Sequence, residues 1–403
     1  MDALLRLLIS IGLVLSLAAC GLSTSTPPRS ASTRAALGPP ATPLAPATAL
    51  PQTAAPTSVG ALATTPRVLP TSTIALTTAP QSATTPSVVA LNPPEGSGGI
   101  GFDDLRFDPT LGKLLVPAGR TGKVDLVDPS TQAVTPIAGF SSQQDFKGGH
   151  DDGPTSADAG RGLIFATDRT IRRLDAVDPA THAIVTTAAL ASSPDYVRYV
   201  APTGELWVTE PDREQIEVFG LSSDKTASLV LLGAIVVKGG PESLIIDPGR
   251  GRAYTHLWNG ATVAIDLKSR TQVARWPNGC DGSRGIALDV PHGWLFAGCA
   301  EGKAVVLDVD HNGQQLANLA VGAGVDVIDY SPTLEHLYLP GASSATMAIV
   351  GVSATGALSV LGTVATAPDA HCVVADNQRH AWVCDPNRGQ LLQVTDPFPA
   401  TGT

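Results

Sequence analysis

The chain has 403 residues and a formal net charge of −10, and its aromatic residues are placed unevenly: all five Trp, all five Tyr and the first Phe (Phe102) lie beyond residue 100. The material for a core therefore sits in the last three hundred residues, enough for one large all-β domain. Residues 1–19 are neutral, residues 20–95 carry +2, and the remainder carries −12 with no basic run. That balance excludes a nucleic-acid binder, because neutralising phosphates requires clustered Lys and Arg.

The N-terminus begins Met1-Asp-Ala-Leu-Leu-Arg6 and continues as an apolar run from Leu7 to Ala19. A short cationic start followed by an apolar stretch too short to span a bilayer predicts a signal peptide over residues 1–19. Leu17-Ala18-Ala19-Cys20 resembles the lipobox of bacterial lipoproteins. That resemblance implies cleavage before Cys20, lipidation of its thiol, and a cell-envelope location facing the periplasm or the outside.

Residues 20–86 are almost entirely Ala, Thr, Pro, Ser, Leu and Val, with prolines every few positions and no aromatics. Proline at that frequency forbids helices and strand ladders, so this segment is expected to be a disordered, partly polyproline-like linker. It would reach ~200 Å if fully extended and ~45 Å as a flexible coil.

From residue 87 to 397 the chain falls into seven similar units, and a short tail, 398–403, follows. The first strands end at Arg106-Phe-Asp108, Ser156-Ala-Asp158, Tyr199-Val-Ala201, Ile245-Ile-Asp247, Ala287-Leu-Asp289, Asp329-Tyr-Ser331 and Val374-Ala-Asp376. After each comes a turn often rich in Pro, Gly and Asn, then an apolar second strand such as Trp294-Leu-Phe-Ala297. An alternating third strand follows, as in Gly302-Lys-Ala-Val-Val-Leu-Asp308, and a polar turn leads to a fourth. Four strands in a repeat of about 40–50 residues is a propeller blade, so the expected fold is all-β: a seven-bladed β-propeller of four-stranded antiparallel blades. The seventh unit has only three strands, and residues 87–92, Ser87-Val-Val-Ala-Leu-Asn92, are expected to supply the fourth and close the ring.

Units such as Val127-Asp-Pro-Ser-Thr-Gln-Ala-Val-Thr135 and Val177-Asp-Pro-Ala-Thr-His-Ala-Ile-Val185 resemble bacterial YVTN-type repeats, of the kind found in NHL- and lactonase-like propellers. The naming tetrapeptide is nowhere intact; Trp207-Val-Thr-Glu210 comes nearest. The resemblance implies a surface binding scaffold, or an enzyme such as a lactonase-like hydrolase or a lyase, since fold alone does not select between them.

In a propeller the loops entering the innermost strands ring the channel mouth. Counting back five residues from each anchor gives Asp103, Gly153, Tyr196, Glu242, Arg284, Asp326 and His371. Unit two departs with Gly153, but its entry loop offers His150 and Asp152. Carboxylates gathered in a cleft raise one another's pKa, and His150 and His371 bring groups that titrate near neutrality. The set Asp103, His150, Asp152, Tyr196, Glu242, Arg284, Asp326 and His371 is thus the candidate ligand site, for a protein, glycan or small molecule. A second possibility, implied by lactonase-like propellers, is a divalent metal, Ca²⁺ or Mg²⁺, held by Asp103, Glu242, Asp326 and His371. Lyase-like propellers imply instead that Glu242 and His371 act as a catalytic pair. The bland alternative is a water-filled channel whose mouth tolerates polar residues, in a purely structural module.

With Cys20 lipidated, four cysteines remain. Cys372 and Cys384 flank one inner hairpin and Cys280 and Cys299 another, which predicts two disulfides within blades in an oxidising compartment, with a thiol metal site as the alternative. Trp207, Trp294 and Trp382 all fall on second strands and are expected to pack between blades.

Overall fold

Short strands with apolar alternation, separated by tight polar turns, pair with their sequence neighbours, because a two-residue reversal leaves no other partner within reach. In a computed structural model that describes residues 85–222 and 228–401, this rule holds throughout. The described strands form seven four-stranded antiparallel sheets, each built from consecutive strands except the last. In the first blade the order from the axis outward is Arg106–Asp108, Lys113–Pro117, Lys123–Val127 and Val134–Ala138. The segments expected to be a signal peptide, a lipobox ending at Cys20 and most of the linker lie outside the described residues. No helix among the described residues is long and apolar enough to cross a membrane.

The seventh sheet closes the ring as expected. Ser87–Leu91 lies outside Gln390–Thr395, antiparallel, with Ser87 opposite Thr395 and Leu91 opposite Leu391. The last described residues also return to the body of the domain. Phe398 packs against the cluster between blades six and seven, and the Thr401 amide donates to the Leu334 carbonyl at 3.0 Å. Beneath them Asp396 accepts from Tyr338 Oη and contacts His336 Nδ1, both at 2.7 Å and fully enclosed.

The core is not one mass but seven, each between two neighbouring blades. Every inner face is therefore covered by the next sheet rather than by a second layer. Trp382 fills the gap between blades seven and one, Trp207 that between three and four, and Trp294 that between five and six. Trp207 and Trp382 are fully buried, and each indole N–H finds a carboxylate, Glu205 at 2.9 Å and Asp376 at 3.0 Å. A side chain of this size contributes roughly 1.5–3 kcal/mol or more by leaving water.

Both predicted disulfides form. Cys280–Cys299 and Cys372–Cys384 join Cα atoms 5.3 Å and 5.5 Å apart, each across an inner hairpin. Their sulfurs are thereby committed, which removes the thiol metal alternative.

Candidate functional site

Because inner strands run from the mouth toward the far side, each residue just before an inner strand projects toward the axis from its own blade. The structure brings Asp103, His150, Tyr196, Glu242, Arg284, Asp326 and His371 into one electrostatically linked group. Asp152 stands apart, half-buried and without a side-chain bond to any of them. The cause is Gly153. It sits at a φ of 69°, and a Cβ there would lie 2.1 Å from the Gly119 carbonyl oxygen. Blade two therefore has no room for a side chain at the counted position and turns His150 inward instead.

At the centre is a network of opposite charges. His150 Nδ1 contacts Asp103 Oδ2 at 2.8 Å, and the two imidazoles of His150 and His371 lie 5.3 Å apart. Two further residues complete it that the repeat spacing did not reach, Arg169 and Asp195. Arg169 Nη2 pairs closely with Asp195 and lies 3.6 Å from Asp103, while its Nε donates to the Pro194 carbonyl at 2.9 Å. Arg169 follows directly on the second strand of blade two, Leu163–Asp168. It belongs to a second ring of loops, those joining second to third strands, which open on the same face.

The electrostatics follow from burial plus this pairing. Burial opposes the charge on Asp103, but His150 and Arg169 outweigh it and hold its carboxyl below the ordinary value. Asp103 in turn pushes His150 up to about 9, so the imidazole is charged at neutral pH. Burial pushes Asp195 up to about 7 despite Arg169 beside it. Glu242 has no cation in contact among the described residues: burial, then Asp195 and Asp326, push it up to about 10, against a partial opposing pull from Arg284. It is a neutral carboxylic acid at physiological pH, and so a hydrogen-bond donor.

This network meets, through His150, a cavity of about 300 Å³ lined by His150, Arg284, Asp326, Asp369, His371 and Asn387 among others. Arg284 Nη1 reaches Asp326 Oδ2 at 3.3 Å. The ring nitrogens of His371 face the carbonyls of Asp369 at 2.7 Å and Phe102 at 2.9 Å, so neither is directed at Glu242. Deeper in the channel a second layer crosses the axis: Arg198 Nη2 donates to Asp104 Oδ1 at 2.8 Å, and Ser156 Oγ to Asp104 Oδ2 at 2.6 Å. Beyond it, the far mouth holds a cavity of about 320 Å³ between Arg106, Tyr196, Arg198 and Asp329.

The four residues expected to hold Ca²⁺ or Mg²⁺ do not form a cage. No three of Asp103, Glu242, Asp326 and His371 bring their ligand atoms within 4.8 Å of one another, and the two groups among the described residues that do both contain disulfide sulfurs. Asp103 and Asp326 already face cations of the protein. A hard cation needing six or more oxygens does not fit this arrangement.

Solved structures resemble this fold at low identity. One is a chain of a structure described as the mitotic checkpoint complex, 12% identical with a TM-score of 0.62, covering 84% of this chain and 99% of that one. Another is the hydrazine synthase of Kuenenia stuttgartiensis, 12% identical with a TM-score of 0.61, covering 75% of this chain and 96% of that one. No protein-family profile matches the chain, and no curated protein matches it. At such identities the likeness is one of architecture: the domain is a seven-bladed β-propeller.

Proposed function

We propose that this chain is a lipid-anchored, extracytoplasmic binding scaffold of the YVTN propeller kind, and that its ligand sits at the channel mouth in the cavity walled by His150, Arg284, Asp326 and His371. The observation that carries the reading is the roughly 300 Å³ cavity lined by His150, Arg284, Asp326 and His371, in which His150 and Arg284 are each held by a carboxylate. A concave site with a few fixed polar groups converging from separate blades is what small-ligand recognition requires. Propellers commonly serve as binding scaffolds, and here the polar groups are held by bonds to one another and not by loops that must first become ordered. Two disulfides in the fold favour an oxidising compartment, consistent with export and acylation at Cys20.

The enzyme alternative, a lactonase-like hydrolase or lyase using Glu242 with His371, is less well supported. Glu242 is a proton donor, but His150 is charged and paired, and His371 is turned to backbone carbonyls. Among the described residues no base is poised opposite the acid.

Ligand-observed NMR tests the binding reading. Mature protein is screened against a library of small polar molecules, and the screen is repeated with Asp326→Asn, which alters the cavity wall. Binders that lose saturation transfer in the variant support the site. A set of binders wholly indifferent to Asp326 would place recognition elsewhere and overturn it.

A further inference from the structure

The loops joining second to third strands form a ring of their own around the mouth. Their first residues, each directly following a second strand, are Ala118, Arg169, Pro211, Trp258, Ala300, Ala342 and Pro386. Five of the seven are Ala or Pro, and Arg169 is consumed in the buried charge network. Trp258 is the exception. It is 56% exposed, whereas Trp207, Trp294 and Trp382 are buried between blades. An indole that large left in water on the mouth face has no packing reason to be there.

Its surroundings give it a role. The Arg284 guanidinium lies over the Trp258 ring, 5.2 Å from the centroid. Arg284 also lines the mouth cavity, so one stacked pair forms the wall between that cavity and a second concavity of about 410 Å³. The second concavity is lined, beside the indole, by Pro211, Gly239 and Gly240, the two glycines at positive φ (103° and 77°). Its rim carries the carboxylates of Asp212 and Glu214. Glu214 accepts from the Gly239 amide at 3.0 Å and from Lys238 at 2.7 Å, while Asp212 is exposed to solvent.

An exposed aromatic face, carboxylate acceptors and a fixed guanidinium along one groove match the chemistry of an uncharged sugar. The C–H face of a pyranose ring stacks on an indole, and its hydroxyls donate to carboxylates and accept from guanidinium. The carboxylate of Asp212, unlike that of Glu214, which Lys238 neutralises, opposes an anionic ligand, and Arg284 already occupies one side of the ring that a cation would seek. Two concavities separated by a single wall suit successive units of a chain. We propose that the channel-mouth face binds an uncharged oligosaccharide, with Trp258 as the stacking platform and Arg284 as the wall shared by two neighbouring sugar positions. This rests on the mouth being the binding face and names the class of its ligand.

A printed array of neutral, N-acetylated, uronic-acid and sulfated oligosaccharides, probed with mature protein, tests it. The expected result is signal confined to uncharged glycans, about tenfold weaker or more with Trp258→Ala and largely kept with Trp258→Phe. Equal melting temperatures for the three proteins confirm that the exposed substitution leaves the fold intact. Absence of binding to every uncharged glycan, binding only to acidic ones, or equal signal from Trp258→Ala overturns the proposal. If the array is blank while small-molecule binding still depends on Asp326, the mouth remains the binding face and only the sugar assignment falls. Capture of peptides in place of glycans likewise overturns the sugar assignment.

Discussion

Glu242→Gln is expected to stabilise the domain, and to do so more as pH rises. In the folded protein the Glu242 carboxyl is pushed up to about 10, first by burial and then by Asp195 and Asp326, against an ordinary value of 4.5. A carboxyl whose folded pKa is raised binds its proton more tightly in the folded state. Stability therefore falls with pH from the unfolded value up to the folded one. At pH 7 the unfolded chain ionises Glu242 and the folded chain does not. The interval from 4.5 to 7 corresponds to about 3 kcal/mol at roughly 1.4 kcal/mol per unit. Glutamine keeps the shape and the donor without that linkage, so the gain should approach about 3 kcal/mol at pH 7 and vanish near pH 4. Urea unfolding of wild type and variant, followed by Trp fluorescence at about pH 4, 6, 7 and 8, reads the difference directly. A variant that is neutral or destabilised at pH 7, or a difference that does not grow with pH, would show that Glu242 is ionised in the folded ring and has found a cation, and the charge assignment of the channel mouth would be wrong.

Other outcomes follow from the same structure. Arg198→Met leaves the Asp104 carboxylate buried without its bidentate partner and should cost about 3–5 kcal/mol, while pairing it with Asp104→Leu should recover much of that in a double-mutant cycle. Replacing Cys372 and Cys384 together with Ser opens a loop of 12 residues and should lower stability by about 2–4 kcal/mol in urea, with dithiothreitol, which also opens Cys280–Cys299, lowering wild type by at least as much. Asp396 is partly opposed by burial but held below its ordinary value by His336 and Tyr338, so its contribution should be complete above pH 4 or so and fade as pH drops further, visible as a steeper acid transition than in Asp396→Asn. Cys20→Ala should move the protein from the membrane to the soluble fraction after cell fractionation; an unchanged partition would refute the anchor.

Blade number and order were legible because each blade repeats the same local events: an anchor such as Asp247 or Asp289, a tight turn, and an apolar strand. Local pairing then leaves a single topology. The closing strand was readable by elimination, since unit seven lacked an outer partner. The mouth residues were harder. Counting back from each anchor reached Asp103, Glu242, Arg284, Asp326 and His371, because entry loops into inner strands are constrained in length. In unit two it fell on Gly153, which has no room for a side chain, and of the two entry-loop residues named there His150 turns inward while Asp152 stands apart; it also passed over Asp195, one residue from the counted Tyr196. Arg169 and Trp258 were missed for a different reason. They belong to the ring that follows the second strands, and strand ends are the least certain feature of a sequence reading. Once those ends are known, the run of Ala and Pro at the equivalent positions makes both stand out.

The domain joins the preceding chain at Ser87, and the strand that begins there is the outermost of blade seven, held by five residue pairs to Gln390–Thr395. Any pull transmitted through the N-terminal segment enters the fold at that strand. Its side chains face mostly water, so backbone hydrogen bonds carry nearly all of the load. Losing this strand would expose the edge of the last sheet while the other six kept all their strands. The ring would thus give way first at its clasp, and a stretched molecule would retain its mouth, because the three inner strands of blade seven, with His371 at their head, stay paired.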